Sequence, residues 1–182
     1  MASHPQESTA PAVEPPGLKQ IWAPWRMGYI GGPKASGCIL CDKPKAKSDR
    51  ANHILTRNAH GFVMLNLYPY SNGHLMVSPY AHGAELESLP AEVSGHLMDL
   101  VRESIVVLKK VYKPEGINVG LNLGRAAGAG ITDHLHFHIV PRWVGDTNFM
   151  SVVGGVRVIP EGIDATYRLL KPHFRRAFSV RS

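Results

Sequence analysis

The 182-residue chain has little cysteine and no long apolar segment, and both absences restrict its function. No apolar stretch approaches the roughly 20 residues that a membrane-spanning helix needs, and residues 1–16 lack the basic and then apolar order of a secretory signal. Only Cys38 and Cys41 are present, which excludes the disulfide framework of a small secreted protein. We therefore expect a cytoplasmic protein whose close cysteine pair serves metal or redox chemistry.

A strong charge bias is also missing. The chain has 20 Lys+Arg and 14 Asp+Glu, a formal net charge of +6, and no long block of like charges. This mild excess suits a polyanionic small molecule as well as nucleic acid, so charge alone does not identify the partner. A hydrophobic content of 44% is sufficient for a folded core.

The first residues differ in composition from the rest of the chain. Four prolines lie among small and polar residues in residues 1–16, with almost nothing to bury. We predict a disordered leader over residues 1–16 and a single domain over residues 17–182.

Several segments have the spacing of strands or helices. Apolar residues at helical spacing predict a long helix over Ser88–Tyr112 and a final helix from Pro160 to about Arg175. The Gly-, Pro- and Lys-rich stretch 31–48 is expected to be a loop. The predicted strands are His53–Arg57, Gly61–Asn66, His74–Ser78, Ile117–Leu123 and Leu135–Val140. Hairpin strands with segregated helices predict an α+β domain with an antiparallel sheet.

Three histidines alternate with apolar residues near the end of the chain. His134, His136 and His138 are separated by Leu135 and Phe137, so a strand would place all three imidazoles on one face. Three imidazoles crowded on one face indicate chemistry rather than packing. That chemistry is either nucleophilic attack by a neutral imidazole or zinc binding, since His at i and i+2 can direct two nitrogens to one ion.

A loop of small residues, 124–132, lies directly before the histidines. Glycines such as Gly128 and Gly130 allow backbone N–H groups to approach an anion closely. Asn122 at the loop entry and Thr132 at its end are further candidates for contacts to phosphate. A phosphate-binding loop next to the histidines favours the nucleophilic interpretation.

The run from His134 to Val140 resembles the signature of the histidine-triad (HIT) superfamily. Other segments are similar to its bacterial branch, which includes diadenosine tetraphosphate phosphorylases: Trp22–Arg26, Leu65–Tyr70, Gly73–Val77, Asn118–Asn122 and Pro141–Phe149. The resemblance implies a HIT-like α+β fold with a five-stranded antiparallel sheet. It also implies a homodimer or a tetramer, and an adenine nucleotide or dinucleoside polyphosphate as substrate.

The resemblance further implies roles for individual residues. His136 corresponds to the nucleophile that accepts an adenylyl group, and His138 to a contact of the α-phosphate or the leaving oxygen. His74 corresponds to a further active-site imidazole, Asn66 to a contact of the ribose hydroxyls and Asn122 to a phosphate contact.

Trp143 follows the histidine strand and is a candidate for the substrate site. Its indole can stack on an adenine or pack in the interior, and the sequence leaves both possibilities open.

The cysteine pair supplies only two of the four ligands of a structural zinc site. The resemblance implies that His82 and His134 complete the set with Cys38 and Cys41. The alternative interpretation is a redox-active pair or two plain loop thiols.

These features together predict a nucleotidyl-transfer enzyme that forms a covalent intermediate on His136 and passes the nucleotide to phosphate. Residues 127–133 depart from the family pattern, which has Gly with Gln, Ser or Thr before the first histidine, and the loop is one residue longer. Either Thr132 or backbone N–H groups alone would contact the phosphate, which leaves hydrolysis open. The alternatives are a hydrolase of dinucleoside polyphosphates, phosphoramidates or adenylyl sulfate, a three-histidine zinc hydrolase, and a nucleotide-binding module without turnover. Neither nucleic acid nor a membrane is an expected partner.

Overall fold

A computed structural model describes residues 37–146 and 161–179 of the chain. Its helices are α1 (Ile39–Lys45), α2 (Ala91–Tyr112) and α3 (Ile163–Ser179), and its strands are β1 (Ile54–Arg57), β2 (Gly61–Leu65), β3 (Leu75–Pro79), β4 (Gly116–Leu121) and β5 (Phe137–Arg142). A short 3₁₀ turn, Arg125–Ala127, lies between β4 and β5. The predicted leader and the segment Trp22–Arg26 lie outside the described residues. The predicted α+β class is confirmed.

The five strands form one antiparallel sheet in the order β1-β2-β3-β5-β4. β1, β2 and β3 are joined as neighbouring hairpin strands, and β5 inserts between β3 and β4. Across this central part of the sheet Met76 is paired with His138. The histidine strand therefore has a bonded neighbour on each side, which holds its side chains in fixed positions.

The two faces of the sheet bury different clusters. The first face packs under α2 and α3 and carries Val63, Leu65, Leu75, Val77 and Ile139. The second face carries a smaller cluster to which α1 contributes Leu40: Ile54, Phe62, Met64 and Met76. Because side chains alternate along a strand, His136 and His138 lie on the second face, opposite Phe137 and Ile139.

The long helix α2 agrees with its prediction, apart from its first residues. It has 22 residues, begins after Pro90 and ends at Lys113, whose φ of 47° is left-handed. Pro114 follows and prevents continuation of the helix. No helix in the two described ranges is long and apolar enough to span a membrane.

The prediction of a loop over residues 31–48 was wrong for its middle part, which forms α1. This helix has seven residues, no side-chain cap at Cys38 and a proline, Pro44, inside it. A helix so short has little intrinsic stability, so tertiary packing must hold it. Leu40 supplies that packing, since it is fully buried against the second face of the sheet.

The alternation of histidines with apolar residues predicts that the last strand begins at Leu135, but β5 begins at Phe137. The backbone N–H of Leu135 donates to the carbonyl of Gly83 at 2.7 Å, and the Ser78 hydroxyl donates to the Leu135 carbonyl at 2.9 Å. At Leu135 these two hydrogen bonds take the place of hydrogen bonds to a neighbouring strand. Of the three histidines only His138 lies within the strand, and His134 turns toward α1.

Candidate active site and metal centre

His136 has the environment of a nucleophile. Its side chain is 4% exposed, and Nδ1 lies 2.8 Å from the carbonyl oxygen of His134. A carbonyl only accepts, so Nδ1 carries the proton and Nε2 has the lone pair. Burial lowers the pKa of His136, against a smaller opposing effect of the bond to His134, and this keeps the imidazole neutral.

A chain of hydrogen bonds fixes the tautomers of the two neighbouring histidines. The backbone N–H of Tyr70 donates to Nδ1 of His74 at 3.1 Å, so the proton of His74 is on Nε2. That nitrogen lies 3.0 Å from Nδ1 of His138 and donates to it. His138 consequently carries its own proton on Nε2 and is a hydrogen-bond donor at that atom.

An open cleft lies beside His136 and His138. Its volume is about 660 Å³, including the part open to solvent. The remaining described residues that line it are Ile39, Lys43, Met64, Asn66, Leu67, Tyr68, Tyr70, Met76, Gly130 and Ile131. The cleft therefore joins the predicted catalytic pair to Asn66, Gly130 and an apolar wall.

Asn66 is held in a fixed orientation at this cleft. Its side-chain oxygen accepts the backbone N–H of Tyr68 at 2.9 Å, and its amide nitrogen lies 3.4 Å from Nδ1 of His74. A fixed amide is suited to recognising a polar group of a ligand, in agreement with the role that the resemblance implies.

The other predicted loop residues are engaged within the loop. The Asn122 amide donates to the Gly128 carbonyl at 3.5 Å, and the Thr132 hydroxyl donates to the Asp133 carboxylate at 2.7 Å. Gly128 has a φ of 83°, which ends the 3₁₀ turn in a left-handed conformation that glycine adopts without strain. Of the four loop candidates, Gly130 is the one that lines the cleft within the described chain.

Trp143 is not among the described residues that line the cleft. Its ring meets Tyr112 edge-on, with centroids 6.4 Å apart and planes at 82°. This contact joins the end of the histidine strand to α2 and corresponds to the packing alternative.

The four predicted metal ligands come together at the start of α1. Donor atoms of Cys38, Cys41, His82 and His134 all lie within 4.8 Å of one another. Nδ1 of His134 is 3.3 Å from the Cys38 sulfur and 3.4 Å from the Cys41 sulfur, and Nδ1 of His82 is 3.4 Å from the Cys41 sulfur. A tetrahedral zinc site separates its sulfur and nitrogen ligands by about 3.6 Å, so this donor set fits zinc.

His134 is also oriented as a metal ligand would be. Its Nε2 lies 3.0 Å from the carbonyl oxygen of Pro79 and donates to it, so Nδ1 has the lone pair and faces the two cysteines. Burial lowers the pKa of His134, which favours the neutral form that binds metals.

A second group of possible ligands, His60, Glu92 and His96, has a less suitable donor set. It offers three donors rather than four, and both imidazoles lie near one carboxylate oxygen of Glu92, whose side chain is 76% exposed. The cysteine–histidine cluster offers four donors of the types that zinc binds, so it is the better candidate for a metal site.

Sequence reasoning missed part of the cleft wall. Met64 could have been found, because it lies two residues before Asn66 on β2 and so shares its face. Ile39 and Lys43 could not, because they come from α1, which the sequence did not predict.

Comparisons with known proteins identify the family of the chain. The HIT domain family matches residues 47–144. The chain is 41% identical over 167 residues to an AP-4-A phosphorylase of Mycobacterium tuberculosis, covering 87% of this chain and 86% of the relative. It is 31% identical over 111 residues to an adenosine 5'-monophosphoramidase of Candida albicans, covering 59% of this chain and 71% of that protein.

Two solved structures share the fold. A zinc-bound histidine triad family protein from Mycobacterium smegmatis has a TM-score of 0.64 at 22% identity and covers 80% of this chain and 98% of its own. A histidine triad nucleotide-binding protein from Sulfolobus tokodaii has a TM-score of 0.61 at 25% identity and covers 79% of this chain and 93% of its own.

A buried imidazole with a free Nε2 lone pair beside an open cleft is an arrangement suited to a group-transfer enzyme. The chain belongs to the HIT domain family. The predicted class, a nucleotidyltransferase or nucleotide hydrolase of this family, is confirmed.

Proposed function

We propose that this chain cleaves dinucleoside polyphosphates by moving a nucleotidyl group first to His136 and then to inorganic phosphate. The observation that carries the proposal is the fixed protonation of the site, with a lone pair on Nε2 of His136 and a proton on Nε2 of His138. The 41% identical AP-4-A phosphorylase supports the substrate class and the choice of phosphate as acceptor.

In the first step Nε2 of His136 attacks the α-phosphorus of the bound substrate. A P–N bond forms while the bond from phosphorus to the bridging oxygen breaks, and that oxygen takes the proton from Nε2 of His138. With diadenosine tetraphosphate the leaving group is ATP. The nucleotidylated ring of His136 becomes cationic, and its Nδ1–H remains bonded to the His134 carbonyl, which stabilises the charge.

In the second step phosphate attacks the same phosphorus. Its oxygen forms the new P–O bond, its proton returns to Nε2 of His138, and the P–N bond breaks to restore neutral His136. ADP is the product. Since the Thr132 hydroxyl already donates to Asp133, we infer that backbone N–H groups near Gly130 hold the incoming phosphate.

We further propose a structural zinc ion held by Cys38, Cys41, His82 and His134. When bound, the ion supplies cross-linking rather than catalysis, because all four ligand positions are occupied by protein. The ligands join the start of α1 to the backbone segment that precedes His136. The family's zinc-bound member from Mycobacterium smegmatis is consistent with such a site.

The three-histidine zinc hydrolase is less well supported by the geometry. Nδ1 of His134 faces the cysteines, Nδ1 of His136 faces a carbonyl, and Nδ1 of His138 faces His74. Three imidazoles whose nitrogens have separate partners do not form a common set of ligands. Hydrolysis through the same covalent intermediate remains the second candidate, because a relative in the family is a monophosphoramidase.

Trapping of the intermediate tests the proposal. The protein is mixed with diadenosine tetraphosphate labelled at an α-phosphorus, quenched within milliseconds and counted for protein-bound label. Label on the wild type and none on His136→Asn is the expected result. His96→Asn is the matched control, because His96 is a partly exposed histidine on α2, outside the cleft. Equal label on His136→Asn would contradict the assignment.

The products distinguish the two acceptors. Phosphorolysis releases ADP and ATP only when phosphate is present, and hydrolysis releases AMP and ATP in buffer alone. Zinc content is measured on each variant, so that a loss of label is not caused by a loss of metal.

We also propose a homodimer, with a tetramer as the larger alternative, and a cytoplasmic location. β4 is an edge strand of the sheet, and Val119 on it is 44% exposed. An open edge with an exposed apolar side chain is suited to pairing with a second copy. Residues 17–182 are proposed to form the single domain, and the leader 1–16 to be dispensable for catalysis.

A further inference from the structure

Lys43 is a charged side chain in an otherwise uncharged part of the cleft. It lies four residues after Ile39 on α1, so both side chains point from one side of the helix into the cleft. Among the described lining residues it is the only Lys, Arg, Asp or Glu. Neither the reaction steps nor the proposed metal site uses it.

The ammonium of Lys43 has no ion pair or hydrogen bond within residues 37–146 and 161–179. The side chain is half-buried at the cleft wall. A partly desolvated cation without a partner is unfavourable, and a ligand with acceptor atoms would relieve that cost.

The topology places Lys43 at the end of the cleft far from the phosphorus. The carbonyl of Lys43 accepts from the Asn52 amide at 3.2 Å, and Asn52 lies two residues before β1. His138 is on β5, and the strand order separates β5 from β1 by three spacings, or roughly 14 Å. Asn66, at the end of β2, lies between them. A nucleotide with its α-phosphorus at His136 and its ribose near Asn66 would direct its base to Ile39, Met64 and Lys43.

We propose that Lys43 is the base-reading residue of this cleft and donates to the acceptor atoms of a purine. An ammonium only donates, so it pairs with O6 and N7 of guanine, whereas adenine offers N7 beside a 6-amino donor. The enzyme therefore accepts guanine in the cleaved nucleotide, and Lys43 sets its preference between guanine and adenine. This inference rests on the proposed function for the direction in which the nucleotide lies.

Substitution by methionine tests the proposal, since methionine keeps the length of the side chain and removes the charge. We expect Lys43→Met to lower kcat/KM for diguanosine tetraphosphate about tenfold while changing kcat/KM for diadenosine tetraphosphate by less than about threefold. Lys43→Arg, which retains donors, should recover most of the guanine activity. Lys45→Met, an exposed lysine on the same helix, is the matched control and should leave both values unchanged.

Two outcomes would overturn the proposal. An equal loss of kcat/KM for both substrates would indicate that Lys43 contacts the phosphate chain. No loss for either substrate would show that the ammonium does not contact the nucleotide.

Direct binding separates this proposal from the proposed function. The Kd values of GMP and AMP are measured by calorimetry on the full chain and on Lys43→Met, which requires no turnover. If label trapping on His136 failed while Lys43→Met still weakened the binding of GMP more than that of AMP, the proposed reaction would be wrong and the proposed base contact would be correct. An unchanged ratio of the two Kd values would contradict the base contact whatever the reaction.

Discussion

Tyr70 contributes to the candidate site through its backbone N–H as well as its ring. The N–H fixes the proton of His74 on Nε2, and His74 in turn fixes the proton of His138. The ring packs against His74 in a tilted arrangement, with centroids 4.6 Å apart and planes at 38°, and limits rotation of the imidazole. A proton needed at one atom is thus positioned by a residue that does not touch the reacting bond, as outer hydrogen bonds do in other catalytic sites.

Removal of His74 should therefore affect proton donation by His138 more than substrate binding. We expect His74→Leu to lower kcat about 100-fold with a small change in KM, because Nδ1 of His138 loses its donor and the ring can take the wrong tautomer. His74→Gln, which keeps an N–H donor, should lose less activity.

The dependence on leaving group distinguishes this role from a general structural defect. An amine leaving group must be protonated to depart, whereas p-nitrophenolate departs without a proton. His74→Leu should thus slow an adenosine phosphoramidate much more than the p-nitrophenyl ester of AMP. An equal loss on both substrates would contradict the positioning role.

At the scale of elements, the strands were predictable and one helix was not. Short apolar runs along Phe62–Leu65 and Leu75–Ser78, bounded by turn residues, indicated the strands, and spacing over Ser88–Tyr112 indicated the long helix, because both patterns are local. α1 was missed because it is short, contains Pro44 and is held by the distant contacts of Leu40. The start of β5 was misplaced because Gly83 and Ser78, far away in sequence, capture Leu135.

The candidate site also has one part that the sequence predicts and one part that it does not. The histidines and the ligand set followed from local spacing and the family resemblance, and the structure brings the four ligands together. The tautomer chain and the α1 wall required the tertiary arrangement. Sequence spacing also could not show that Trp143 packs on Tyr112 or that the Thr132 hydroxyl is engaged by Asp133.

The proposed zinc ion makes α1 dependent on metal. We expect His82→Gln to reduce bound zinc to well below one ion per chain and to lower Tm by about 10 °C, because the ion supplies a cross-link that so short a helix cannot replace. Activity should fall with it, since α1 carries Ile39 and Lys43 of the cleft wall.

Zinc is measured by mass spectrometry of the purified protein and Tm by calorimetry. His96→Gln is the control, because His96 lies outside the proposed set of four ligands. Wild-type zinc content in His82→Gln, or equal zinc loss in His96→Gln, would refute the proposed ligand set.

At the scale of the whole molecule, the two edge strands of the sheet differ in how far they are covered. β1 lies next to α3, where the Tyr167 hydroxyl and the Lys171 ammonium donate to the Ile54 carbonyl at 3.3 and 3.1 Å. β4 at the other edge has mostly exposed residues. Edges left open are usually protected by charge or covered, and β4 carries neither a lysine nor a proline.

We expect Val119→Lys to dissociate the proposed dimer, because a charged side chain on the edge strand must be desolvated when two copies pair. Sedimentation equilibrium should give twice the 19.9 kDa chain mass for the wild type and the chain mass for the variant. Leu169→Lys is the matched control, since Leu169 is 41% exposed on α3, near the opposite edge of the sheet. If the wild type is a tetramer and Val119→Lys is a dimer, the β4 contact is one of two interfaces in the tetramer. If Val119→Lys keeps the wild-type mass, β4 does not form the interface between copies. Side-by-side pairing of two β4 strands would bury two ammonium groups and would therefore lose affinity.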